Sequence, residues 1–242
     1  MNLIGVDDVP GALGLGSHEL IALVGGGGKT TTLFSLGRAL TGRVVLTTTT
    51  KMGRDRTEGR PILCRPTMAE VRAIASPTLV WDSMDEHKAI GVTGETVDSW
   101  FDAVDHIVVE ADGARRKPFK APAPYEPVIP SRATTVVAVI GADALDRVIE
   151  DQCHRPLRVA ALAGCSSYDR LTPERATAVL LSADGSRKGV AADARFVVVV
   201  TKVTDGNSAL VARLAAALDG HVERVVTVAF DPLLRAHPAE RD

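Results

Sequence analysis

Six stretches of the 242-residue chain are almost continuously apolar: ELIALV (19–24), RVVLTT (43–48), HIVVE (106–110), TTVVAVI (134–140), RFVVVV (195–200) and VERVVTVAF (222–230). β-branched residues dominate them, and polar residues do not alternate with apolar ones. This pattern predicts strands buried on both faces, as in a parallel sheet covered by helices. Between these runs the apolar period becomes helical. Residues 30–40 bring Leu33, Leu36 and Leu40 near one face, and Thr172-Pro173-Glu174 opens a second helix with a capping threonine and proline at its first position. A third helix, SALVARLAAALDG, runs to a stop at Gly220. Strands alternating with helices predict an α/β fold with a mostly parallel sheet. Residues 113–133 break the pattern, holding five of the 13 prolines without periodicity. They predict a long irregular loop, and such loops tend to be functional or disordered. With no repeat and no low-complexity segment, residues 1–242 read as a single domain.

The first strand runs straight into IALVGGGGKTTTLF (21–34), four glycines closed by a lysine and threonines. Consecutive glycines are costly in regular structure, since each has the most backbone freedom to lose. They suit a place where backbone N–H groups must converge on an anion with no side chain in the way. Strand, glycine turn and Lys-Thr opening a helix is the arrangement that cradles phosphates: the helix N-terminus adds partial positive charge, the lysine reaches the terminal phosphates and the hydroxyl holds magnesium. The long spacing G-x-x-x-x-G-K-[ST] fails, because its first glycine falls at Leu23; what stands here is G-x-x-G-K-T from Gly25 to Thr30. This resembles the shorter loop of Mur-type ligases and that of ParA-like ATPases, whose extra lysine falls on Val24. Gly25, Gly26, Gly27, Gly28, Lys29, Thr30 and Thr31 are thus expected to bind nucleotide, with Thr30 on Mg²⁺.

Three further stretches follow strands. In DHIVVEADGARRKPFK (105–120), Glu110 ends an apolar run and Asp112 lies two residues on. A carboxylate at the end of a buried strand beside a phosphate loop is where a magnesium ligand or water-orienting base is needed. Arg115, Arg116, Lys117 and Lys120 come next, either as a solvated face or as an anion-binding or partner-binding segment. In TTTTKM (47–52), Thr49 and Lys51 stand where open α/β sheets bind ligands, at a strand's carboxyl end. In FVVVVTKVTD (196–205), Thr201-Lys202 occupies the place of the base-reading [NT]-K-x-D of guanine-nucleotide proteins, but Thr204 stands in the aspartate position and Asp205 one place late. A threonine cannot supply the bidentate acceptor that guanine requires, so ATP and GTP both stay open.

Composition narrows the remaining classes. A formal net charge of -2 and 4% aromatic residues give neither a global field for nucleic acid or membranes nor stacking platforms for single strands. No apolar run has the length of a membrane span, the N-terminus does not read as a signal peptide, and three scattered cysteines make a poor disulfide framework, so a cytoplasmic protein is expected. Cys153, His154 and Cys165 match no trusted metal spacing, and no G-x-S-x-G elbow supports a serine hydrolase.

Taken in order, VGGGGKTTT, TTTTKM, VVEADGARRKPFKAPAPYEPVIP, GADAL, HRP and TKVTD resemble the YqeC family over residues 19–205. These proteins are described as accessory factors for selenium-dependent molybdenum hydroxylases. The resemblance implies a P-loop NTPase-like three-layer fold and a nucleotide-dependent role in maturing a molybdenum hydroxylase, with that enzyme or its cofactor-assembly proteins as partner. Two alternatives remain beside it: a small-molecule kinase or Mur-like ATP-dependent ligase, and a nucleotide-dependent switch that binds a client with negligible turnover.

Overall fold

The computed structural model describes residues 3–230. Nine strands form one sheet in the order Leu3–Ile4, Arg224–Ala229, Arg195–Val203, Thr135–Gly141, Glu19–Gly25, His106–Glu110, Val44–Thr48, Thr78–Trp81, Ile62–Cys64. Every pairing in it is parallel. All six apolar runs are strands of this sheet, and their lack of alternation is explained by two cores. Leu20, Ala22, Val24, Val136, Ala138 and Ile140 pack on one face, while Ile21, Leu23, Val137 and Val139 pack on the other. Each strand thus obeys the period of two, yet both sets of side chains are apolar because helices and loops cover both faces.

Three sheet strands, Leu3–Ile4, Ile62–Cys64 and Thr78–Trp81, are not among the runs the apolar pattern predicts, and Leu3–Ile4 is only two residues long. Ile62–Cys64 has an exposed isoleucine and cysteine at the sheet edge, and Thr78–Trp81 is only four residues long. A small antiparallel sheet of Lys51–Gly53, Ser83–Met84 and Lys88–Ile90 lies beside them. The helices fall close to expectation, at Lys29–Ala39, Pro173–Leu181 and Ser208–Leu218, with Thr172 capping the second through its hydroxyl. Pro156–Ala163 is a further helix between Gly141 and Pro173.

Residues 113–133 are irregular apart from Phe119–Lys120, which pairs in parallel with Cys153–His154 away from the main sheet. They are not a solvated excursion. Val128 N–H donates to the Ala111 carbonyl at 2.9 Å, so the chain leaves the sheet end and returns to it. Such a compact loop with adjoining ends is an Ω-loop, packed by its own side chains. Residues 118–123 are buried inside it.

No helix among the described residues is long and apolar enough to cross a membrane.

Candidate nucleotide site

The central strand Glu19–Gly25 has Thr135–Gly141 on one side and His106–Glu110 on the other. In register, Val139 lies opposite Gly25 and Glu110 opposite Leu23, while Thr48 lies opposite Glu110 one strand further on. The glycine loop and Glu110 therefore share the carboxyl edge of adjacent strands, where open α/β sheets bind ligands.

Two of the glycines are required by close approach. Gly25 (φ 94) and Gly27 (φ 78) have left-handed backbones, and a Cβ on either would collide with the main chain of the neighbouring strand end, at Val139 and Gly141 respectively. The amides at the start of the loop are already engaged. Gly25 N–H donates to Asp112 Oδ2 at 3.0 Å, Gly26 N–H to the Val139 carbonyl at 2.8 Å and Gly27 N–H to the Lys117 carbonyl at 3.1 Å. The N–H groups of Gly28, Lys29, Thr30 and Thr31 have no acceptor among the described residues. These are the four orphan donors at the start of the helix Lys29–Ala39, gathered at the positive end of its dipole. Of the amides expected to bind phosphate, those of Gly25, Gly26 and Gly27 are thus engaged within the protein, and the amides left without an acceptor are those of residues 28–31.

Charge at this corner is dense and paired. Lys29, 4% exposed, donates to the Gly25 carbonyl at 2.6 Å and lies 3.1 Å from Asp112 and 3.7 Å from Glu110. Burial disfavours its ammonium, but the charges of Asp112 and Glu110 outweigh that and raise its pKa. Burial raises the pKa of Glu110 against the opposing pull of Lys29 and of its hydrogen bond from Thr30. Thr30 Oγ1 donates to Glu110 Oε2 at 2.9 Å. Asp112, 2% exposed, is enclosed by Gly25 N–H, Lys29 and Lys120, the last at 3.1 Å.

Lys120 is turned into the Ω-loop, not toward solvent. Its ammonium bridges Asp112 and Glu126, reaching Glu126 at 2.7 Å and the Gly113 carbonyl at 2.7 Å. Arg155 meets Glu126 from outside at 2.8 Å. Lys117 donates to the carbonyl of the exposed Asp151 on the neighbouring segment. Arg115 and Arg116 are exposed. Thr49 clamps the loop's far end by donating to the Val128 carbonyl at 2.8 Å, whereas Lys51 is exposed on the small antiparallel sheet, its charge falling near Asp85. Thr201 donates to the Gly27 carbonyl, tying the late strand to the glycine loop, and Lys202 donates to Asp143 at 2.7 Å. Beside them lies a cavity of about 120 Å³ walled by Val6, Val9, Thr31, Thr201, Val228 and Phe230.

Sequence reasoning missed Glu126, which pairs with Lys120, Arg155, which pairs with Glu126 in turn, Asp143, which pairs with Lys202, and the cavity walls Val6 and Val9. No group of three metal-ligating side chains occurs among the described residues, and Cys153, pushed up to about 12 by burial, is a poor ligand and nucleophile at neutral pH.

The family model for YqeC protein matches residues 21–157, the span from the central strand through the Ω-loop to the start of the helix Pro156–Ala163. The chain is 31% identical over 202 residues to the Escherichia coli (strain K12) protein named Uncharacterized protein YqeC, an alignment that covers 79% of this chain and 78% of that one. No solved structure matches the chain. The glycine loop, the strand ending in Glu110 and the Ω-loop all lie within the matched span, and the chain belongs to the YqeC family.

Proposed function

We propose that the protein binds a magnesium complex of ATP or GTP across the glycine loop and cleaves its terminal phosphoryl bond, in the service of molybdenum hydroxylase maturation. The observation that carries this reading is the meeting of three groups at one helix N-terminus: free amides at 28–31, the Lys29 ammonium, and the Thr30 hydroxyl set 2.9 Å from the Glu110 carboxylate. The amides and Lys29 suit the phosphates. Thr30 and Glu110 are two hard oxygens, from a helix start and a strand end, and are the residues that would hold magnesium. That ion would neutralise charge on the β- and γ-phosphates. Glu110 borders the cleft and is also placed to orient the attacking water; Asp112, sealed behind Lys29, acts as a positioning residue that holds the lysine and the Gly25 amide. A bound triphosphate draws Lys29 away from Asp112, and Lys120 then keeps that carboxylate paired. The cavity beside Thr31 and Thr201 would take the ribose or base. The molybdenum-hydroxylase role, and the part of selenium in it, rest on the described role of the family.

The switch reading also has a specific observation in its favour. Gly27 N–H bonds the Lys117 carbonyl, so the Ω-loop is fastened to the glycine loop it would sense.

The test is a magnesium-dependent binding panel of ATP, GTP and CTP on the pure protein, with phosphate release followed in parallel. Binding of ATP or GTP that needs magnesium is expected, and Glu110→Gln should lower turnover far more than affinity. Absence of triphosphate binding by the folded protein would refute the proposal.

A further inference from the structure

A second cavity opens where the neighbouring strands Thr135–Gly141 and Arg195–Val203 end. It encloses about 500 Å³, a volume in the range of small-ligand sites. Lys202 and Phe230 line both this cavity and the smaller one beside Thr31, so the two share a wall.

Hydrogen bonds fix both sides of it. On one side, Asp146 N–H donates to the Leu171 carbonyl at 2.9 Å and Leu171 N–H to the Arg147 carbonyl at 2.8 Å, holding residues 146–147 against 170–171. On the other, Asn207 clasps the turn after Lys202. Its Oδ1 accepts from Thr204 N–H at 2.9 Å and its Nδ2 donates to the Lys202 carbonyl at 3.2 Å. Asp146 (φ 56) and Lys202 (φ 58), one from each side, have left-handed backbones. Strain of this kind persists where the surroundings enforce it, and it gathers at ligand sites.

The charges around the cavity do not balance. Lys202 crosses to Asp143 at 2.7 Å, and Arg170 rests on the Asp146 carbonyl with that residue's carboxylate 3.9 Å away. The Arg147 guanidinium has no hydrogen-bond or carboxylate partner among the described residues. Two carboxylates thus meet three cations, with the apolar side chains of Leu145, Leu210 and Phe230 beside them.

We propose that this cavity is a second ligand site, for a small organic carboxylate whose charged group pairs with Arg147 and whose apolar body packs on Leu145, Leu210 and Phe230. A guanidinium fork matches a carboxylate in charge and in plane. A neutral nucleotide base would leave Arg147 unanswered, so the cavity is not an extension of the nucleotide cavity. Nor does its ligand accept a phosphoryl group: the two strands that carry it lie on one side of Glu19–Gly25, and Glu110 lies on the other. The site does not depend on the nucleotide reading.

The test is fluorine NMR of 4-fluorobenzoate titrated with the parent, Lys29→Ala and Arg147→Gln, using 4-fluorobenzyl alcohol as the uncharged control. Arg147 is exposed, and a surface substitution of this kind leaves the fold in place. The same saturable response is expected in the parent and in Lys29→Ala. Affinity should be roughly tenfold weaker or more for Arg147→Gln, and for the alcohol on the parent. Benzoate binding should persist when ATP is added in excess. A parent that does not respond, or an Arg147→Gln protein that responds fully, would overturn the proposal. A response lost in Lys29→Ala would place the anion on the glycine loop, and displacement by ATP would place it in the nucleotide site; either result would overturn it as well. Failure of the nucleotide reading would appear separately, as absent triphosphate binding in the parent.

Discussion

The two ends of the proposed nucleotide path are built from opposite materials. At the phosphate end, Glu110, Lys29, Asp112, Lys120 and Glu126 alternate in sign from the strand end and the helix start into the Ω-loop, each within ion-pair distance of the next. At the other end, Val6, Val9, Val228 and Phe230 supply an apolar wall with only Thr31, Thr32, Thr201 and Lys202 as polar side chains. The first end can read charge but has no means of telling one base from another. The second has the shape to hold a base and lacks a carboxylate to read guanine. Substitutions at the phosphate end should therefore be large in effect and indifferent to the base, and those at the other end small.

The largest effect is expected where the phosphate end is most enclosed. Lys120→Ala leaves Asp112 and Glu126 facing each other without their shared cation, and breaking a buried pair in this way costs about 3–5 kcal/mol. Urea denaturation should show that loss, with nucleotide affinity falling as Lys29 is drawn back onto Asp112. A Lys120→Ala protein as stable as its parent would mean that water reaches this corner and the charge alternation is not structural.

Lys29→Ala comes next. Loss of a charge-assisted contact to phosphate is worth about 1.5–3 kcal/mol, so triphosphate affinity should fall roughly tenfold or more, equally for ATP and GTP. The equality is the sharper half of the expectation. If calorimetry showed a loss confined to one base, the two ends could not be independent.

The sheet was legible because its strands are buried on both faces, which turns each into an unbroken apolar run. The glycine loop was legible because a turn that passes this close to neighbouring main chain leaves a contiguous run of glycines in the sequence. The short strands Ile62–Cys64 and Thr78–Trp81 escaped because neither is long enough to show a period. The Ω-loop's burial escaped for a different reason: Lys120 and Glu126 each look like solvated charges until the fold brings them 2.7 Å apart. The apolar cavity was invisible in principle, since Val6 and Phe230 meet only through the parallel pairing of the first and last described strands.

The base end gives a smaller expected effect. Thr204 stands where guanine needs a carboxylate, and its backbone N–H is taken by Asn207 at 2.9 Å. A site without that acceptor forfeits much of its discrimination, so the GTP to ATP affinity ratio should stay below about a hundred, or ATP should be preferred. A larger ratio, measured by competition, would show that another carboxylate closes over the cavity and that the contrast between the ends is overstated.

The smallest effect concerns pH, and it again separates the ends. The cavity has no histidine or carboxylate in its wall, whereas the Ω-loop edge holds His154. Burial, reinforced by Arg155, Lys120 and Arg115 and opposed by Glu126, lowers the His154 pKa from 6.5 to about 4. Between those values the unfolded chain binds a proton that the folded chain refuses. The unfolded state holds more protons there, so stability falls as pH drops from 6.5 toward 4, and this contribution vanishes above 6.5. Glu126 behaves in the same direction at lower pH. Despite its burial, the hydrogen bond and charge of Lys120 and then those of Arg155 depress its pKa below 4.5, so its stabilisation is lost as pH falls through that value and below. That loss is common to the parent and to His154→Gln, and it cancels in their difference. Urea midpoints for the two proteins should therefore keep a constant difference above pH 6.5 and shift steadily in favour of the variant on acidification. A difference independent of pH would mean that His154 is solvated like an ordinary surface histidine, and that the arginines around it are too far apart to act on it together.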